Sequence, residues 1–151
     1  MKKKKILILN GPNLNMLAKR DVKIYGTGTL ETAKKDCSGL AKELGLEIEF
    51  KQSNFEGEII EQIQQAIGKV DGIIINAAAY THTSVAIRDS LEMFNGSKVE
   101  LHISNVFKRE EFRHHSLLSD KVDASIFGFG IDGYSLALLG IRDLIAHKSK
   151  K

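Results

Sequence analysis

The sequence predicts an α/β fold with helices on both faces of a parallel sheet, and three patterns predict it. Five strand-like segments alternate with helical ones along the 151 residues. Two of those segments, residues 6–9 and 72–75, are almost wholly apolar, as strands buried on both faces are. The links between strands are long enough for crossovers, which in such sheets are right-handed.

Residues 6–9 read Ile-Leu-Ile-Leu and stop at the turn signal Asn10-Gly11-Pro12. Nineteen residues, 11–29, then pass before the next helical pattern. Connections of that length are often lids or binding loops, and this one carries Asn13, Asn15, Arg20 and Tyr25. Leu30, Ala33, Cys37, Leu40, Ala41 and Leu44 recur at helical spacing, with Gly45 placed as a C-cap. Residues 46–51 alternate apolar and charged, so the second strand has one wet face. Such a strand belongs at a sheet edge, which selects the flavodoxin-like order 2-1-3-4-5 in three layers.

Ser53-Asn54-Phe55-Glu56 reads as a capping box before a helix whose inner stripe is Ile59, Ile60, Ile63 and Ile67. The third strand, 72–75, ends at Asn76. Thr83 or Ser84 then caps a helix packed through Val85, Ile87, Leu91 and Phe94. Residues 99–103 and 122–127 are the fourth and fifth strands, and Leu136, Leu139 and Ile145 mark the last helix. With no repeat or linker, the expectation is a single domain over 1–151, with short Lys-rich tails at 1–5 and 148–151.

Charge sets limits on partners. The net charge is +3, but the seven lysines at 2–5, 148, 150 and 151 account for all of it. Without them fifteen basic residues face nineteen acidic ones, a net of −4. A nucleic-acid surface needs basic groups on a folded face, so none is expected. The lone Cys37 allows no internal disulfide and fits a reducing, cytoplasmic setting. An apolar run of four residues after the lysines is too short for a signal peptide or a membrane span.

In sheets of this order ligands bind beyond the carboxyl ends of the strands. Asn10, Asn13, Asn76, His102, Ser104 and Asn105 fall there. Gly128 to Gly133 matches GxGxxG, but it follows the last strand and no ribose-binding acid stands about twenty residues on. Tight strand–helix packing explains it better. Cys37 lies in a helical apolar stripe, no GxSxG elbow is present, and the five histidines lack metal-ligand spacing. Acid–base chemistry without metal or cofactor remains. Glu100, His102 and Ser104 share one strand face, and a carboxylate beside an imidazole favours the imidazolium, a competent acid. A free phenol titrates near pH 10, so Tyr25 serves as a base only beside a cation. Lowering that to neutrality takes about 4 kcal/mol; Arg20 is on the same loop, with Arg109 and Arg113 as further sources. The competing class is a flavin- or nucleotide-binding module on the same scaffold.

The chain resembles the type II 3-dehydroquinate dehydratases. The matches are Asn10-Gly11-Pro12-Asn13-Leu14-Asn15, Arg20 with Ile24-Tyr25-Gly26, Gln52-Ser53-Asn54, Asn76, Thr81-His82-Thr83-Ser84, Arg88-Asp89, residues 100–105, Phe112-Arg113-His114-His115-Ser116 and Gly128-Phe129-Gly130. The resemblance implies conversion of 3-dehydroquinate to 3-dehydroshikimate in the shikimate pathway of aromatic amino acid biosynthesis, through an enolate and without a Schiff base. Tyr25 would be the base, Arg20 its stabiliser, Asn13 the enolate's holder, and His102, backed by Glu100, the acid. Asn76, His82 and Arg113 would hold ring hydroxyls, and Ile103 and Ser104 the carboxylate. Asp89 would reach a neighbour's site within a homododecamer, a tetramer of trimers. The chain departs from the family's usual pattern at Ala77-Ala78, where Pro-Gly is customary, and at Ala18 and Val22, where Gly and Pro are.

Overall fold

The computed structural model describes residues 2–150. Its five strands form one parallel sheet in the order second-first-third-fourth-fifth along the chain, as expected. In chain order these elements are β1 (Lys4–Asn10), α1 (Val22–Tyr25), α2 (Leu30–Leu44), β2 (Leu46–Gln52), α3 (Glu56–Ala66), β3 (Gly72–Asn76), α4 (Val85–Met93), β4 (Ser97–His102), β5 (Ala124–Phe127) and α5 (Asp132–Ser149). Lys4 and Lys5, read as tail, are the first residues of β1, and Lys148 lies in α5.

Strand alternation divides the core into two layers. Ile6, Ile8, Ile74, Val99 and Leu101 pack with α2 and α5 on one face. Leu7, Leu9, Ile73 and Ile75 pack with α3 and α4 on the other. Fully burying one such side chain contributes about 2 kcal/mol. β2 keeps its polar face at the edge, where Lys5 Nζ pairs with Glu49 at 2.7 Å.

Local signals mostly act as read. Thr29 Oγ1 accepts from Thr32 N–H at 3.2 Å to cap α2, and Gly45 closes it in the left-handed region at φ 69°. Ser84, rather than Thr83, caps α4 by accepting from Ile87 N–H at 2.9 Å. Lys98 Nζ closes that helix's other end, donating to the carbonyls of Leu91 and Phe94 at 2.8 and 2.6 Å. Four readings shift. The capping box does not form with Glu56: Ser53 accepts from Phe55 N–H at 2.9 Å and its hydroxyl donates to Glu58. Val85 and Ile67 are exposed. In α5 the packed stripe is Tyr134, Leu138, Ile141 and Ile145, while Leu136 points outward. The long loop is folded, with a 3-10 segment (Leu14–Lys19) and the one-turn α1 burying Leu14, Leu17 and Tyr25 against the α2–α5 layer.

The turn after β1 is fixed by close contact with the turn after β3. Gly11 N–H donates to the Asn76 carbonyl at 2.8 Å, and a Cβ on Gly11 would lie 2.4 Å from the Ala77 carbonyl oxygen. Gly11→Ala is therefore expected to cost about 2 kcal/mol or more, lowering Tm by roughly 4–8 °C; thermal unfolding checks this. Ala78, in the Ala-Ala departure, sits at φ 51°, a conformation that suits glycine better. In the Gly128–Gly133 run, a Cβ on Gly133 would come within 2.9 Å of Leu101, the tight strand–helix packing expected.

Candidate active site

The carboxyl ends of β1, β3 and β4 surround a cavity of about 130 Å³, roofed by the folded 11–29 loop and the segment after β4. Asn13, Arg20 and Tyr25 line it from the loop, Asn76 from the end of β3 and His82 from beyond it, and His102, Ile103, Ser104, Arg109 and Arg113 from β4 onward. Nine of the eleven residues expected at the site thus reach one hollow. The other two do not line it. Glu100 stands behind His102, and Asp89 is exposed on α4.

Tyr25 is buried, and Arg20 Nη2 donates to its hydroxyl oxygen. The Arg20 guanidinium also lies 3.9 Å from the Tyr25 ring centroid, with Arg109 at 5.1 Å. Two cations thus stand beside one phenol. Arg109, expected as a further source of charge for Tyr25, is also a wall of the cavity. Its Nη1 approaches Ser104 Oγ at 3.4 Å, and its Nε is buried without a hydrogen-bond partner among the described residues. Its place just past the carboxyl end of β4 is the signal that could have found it. Arg113 donates from Nε to Glu110 at 3.0 Å, which fixes its reach along the wall.

Opposite stands the imidazole. His102 Nε2 bonds Glu100 Oε2 at 2.5 Å, leaving Nδ1 to serve the cavity. Ser119 Oγ donates to the same carboxylate at 2.8 Å and Ser116 Oγ at 3.0 Å. Burial alone would push Glu100's pKa up, but bonds from His102, Ser119 and Ser116 outweigh it and hold the carboxyl below its ordinary range. The serines arrive on a loop anchored by Arg88, which donates to the Leu117 carbonyl at 2.7 Å and pairs in bidentate fashion with Asp120. These anchors are long-range contacts that no spacing rule reveals.

His82 stacks toward His102 at 6.4 Å between centroids, and its Nδ1–H donates to the His115 carbonyl at 2.8 Å. Burial, with neighbouring His102 and Arg113, lowers its pKa, so Nε2 is an acceptor at neutral pH. Asn13 takes φ 68°, tolerable for asparagine, and its N–H donates to Asn54 Oδ1 at 3.0 Å. Asn10 and Asn105, also expected at the rim, are structural. Asn10 is fully buried in side-chain bonds below the floor, and Asn105 accepts from Phe107 N–H at 3.2 Å.

A guanidinium-bonded phenol and a carboxylate-backed imidazole line one cavity of this α/β fold, an arrangement suited to an enzyme of acid–base chemistry. Comparison with known proteins narrows this class. The family described as Dehydroquinase class II matches residues 4–142. A 3-dehydroquinate dehydratase of Bartonella tribocorum is 58% identical over 88% of this chain and 89% of its own. Catabolic 3-dehydroquinase 1 of Fusarium vanettenii is 55% identical over 88% and 92%. The crystal structure of type II dehydroquinase from Butyrivibrio crossotus superposes with a TM-score of 0.90 at 44% identity, covering 93% of this chain and 98% of that one. This chain belongs to the class II dehydroquinases, the type II 3-dehydroquinate dehydratases.

Proposed function

We propose that the chain dehydrates 3-dehydroquinate through an enolate, with Tyr25 as base and His102 as acid. The observation that carries this is the Arg20–Tyr25 contact set across one cavity from the Glu100–His102 pair. The Tyr25 phenolate removes a proton from the carbon beside the ketone; the C–H electrons form a carbon–carbon double bond to the carbonyl carbon, and the carbonyl π pair moves onto oxygen as an enolate. Asn13 holds that oxygen. The enolate then re-forms the ketone, a carbon–carbon double bond forms, and the carbon–hydroxyl bond breaks. His102 supplies the proton with which the hydroxyl leaves as water. Asn76, His82 and Arg113 hold ring hydroxyls, while Ile103 and Ser104 take the carboxylate with Arg109 near at hand.

The product's conjugated enone absorbs in the ultraviolet, so adding 3-dehydroquinate should produce a rising absorbance; none would overturn the reading. Among the described residues no lysine lines the cavity, which leaves no amine for a Schiff base. Borohydride added with substrate is expected to leave the protein active and unmodified, and a reduced lysine adduct in its mass spectrum would contradict the enolate route.

The same reading assigns a homododecamer, a tetramer of trimers, in the cytoplasm, with no nucleic acid or membrane partner. Among the described residues no helix is long and apolar enough to cross a membrane. Asp89 lies outside its own chain's cavity on a helix whose Val85 and Met93 are more than half exposed, a surface suited to a subunit contact. Asp89→Ala is expected to raise KM about tenfold, the worth of one charged hydrogen bond, with unchanged secondary structure by circular dichroism. An unchanged KM in an intact oligomer would remove Asp89 from the site.

A further inference from the structure

Beneath the cavity floor runs a buried chain of side-chain hydrogen bonds that the reaction steps do not use. Tyr134, on the first turn of α5, is fully buried. Its hydroxyl donates to Asn10 Oδ1 at 2.5 Å and accepts from Asn76 Nδ2 at 3.1 Å. Asn10 Nδ2 donates to the Lys51 carbonyl at 3.0 Å, and Asn76 Oδ1 accepts from Ala78 N–H at 3.2 Å. Asn10 and Asn76 are register partners at the ends of adjacent strands, so one hydroxyl from the covering helix reaches both.

The chain has a direction. The Lys51 carbonyl takes the Asn10 amide hydrogens, which turns Asn10 Oδ1 to Tyr134 and makes the phenol the donor there. The phenol's lone pair then faces Asn76 and requires its NH₂ group, while Ala78 N–H requires its oxygen. Reversing Asn10 would set its oxygen against the Lys51 carbonyl, and reversing Asn76 would set its NH₂ group against Ala78 N–H. Burial pushes the Tyr134 pKa well up, against the bond from Asn76, so the hydroxyl stays protonated. It can donate but cannot become a second base.

We propose that Tyr134 is a positioning residue for substrate binding: it sets the Asn76 amide so that one Nδ2 hydrogen and one Oδ1 lone pair face the cavity. Asn76 is a lining residue, and Tyr134 is not. The inference rests on the reading that the cavity takes 3-dehydroquinate, whose ring hydroxyls can use both atoms. Packing alone does not require the phenol, because phenylalanine would keep the ring contact with Phe50 at 5.8 Å between centroids.

Tyr134→Phe removes the hydroxyl and keeps the shape. KM is expected to rise about tenfold, one hydrogen bond's worth, with kcat within about twofold, because a ring-holding contact serves ground and transition states alike. Ile141→Val is the control for stability alone. Ile141 is buried on the same helix but packs at the other end of the sheet, by Gly72, so its Tm should fall while KM stays. A raised KM in Tyr134→Phe alone supports the role. An unchanged KM there, or an equal rise in both variants, overturns it. A wild-type protein without turnover would instead overturn the reading of the cavity on which the role rests.

Discussion

Tyr25→Phe is expected to lower turnover of 3-dehydroquinate by about 10²–10⁴-fold, the usual contribution of a positioned general base. The ring is buried against Leu14 and Leu17 in the α2–α5 layer, and phenylalanine fills the same space. Binding of product should therefore stay within about twofold, measured by calorimetry. A variant that retains a tenth of wild-type turnover would mean the base lies elsewhere. Arg20→Ala tests the partner. Loss of the guanidinium bonded to the Tyr25 oxygen removes a charge-assisted contact at the reacting oxygen, so kcat should fall about tenfold or more. Arg109, at 5.1 Å from the ring, remains to keep some activity. A raised KM with unchanged kcat would reduce Arg20 to a substrate contact.

Glu100→Gln should cost about 10²–10⁴-fold in turnover, because an uncharged amide replaces the carboxylate bonded to the imidazole at 2.5 Å. It should also change the acid stability. Burial raises the Glu100 pKa, yet the bonds from His102, Ser119 and Ser116 lower it further, so the folded value lies below the unfolded one. Near the ordinary carboxyl range the unfolded chain then binds more protons than the folded one. The stabilisation is fully present above the unfolded value and is lost as pH falls through the folded value. Wild type should lose stability on acidification below about pH 4.5, and Glu100→Gln should lack that part of the loss. Urea midpoints at pH 7 and pH 4 measure it, and parallel pH dependence in the two proteins would place Glu100 outside the linkage.

How much of this was legible in the sequence follows from the range of each interaction. Strand order could be read because Glu47, Glu49 and Lys51 make one face of β2 wet, and a wet face cannot sit mid-sheet between helices. The α5 stripe could not. Leu136 and Leu139 fit helical spacing as well as Leu138 and Ile141 do, and only the seat of that helix on β3 and β4 chose between them. Ser53 carried the capping signal, but its hydroxyl found Glu58 once the helix began two residues later than the motif implied.

At the site the sequence by itself determined which chemistry is present. Tyr25, His102 and the rim residues stand at strand ends or on the one long loop, and the period-two repeat put Glu100 and His102 on the same face. Tertiary structure alone decided what each group is bonded to. Arg20 and Tyr25 are close in sequence, so proximity was readable, but only burial against Leu14 and Leu17 sets the guanidinium on the oxygen. Ser119 meets Glu100 across 19 positions, and Tyr134 meets Asn10 across 124. Such bonds depend on packing between layers, a property of the assembled sheet and helices and not of any local pattern.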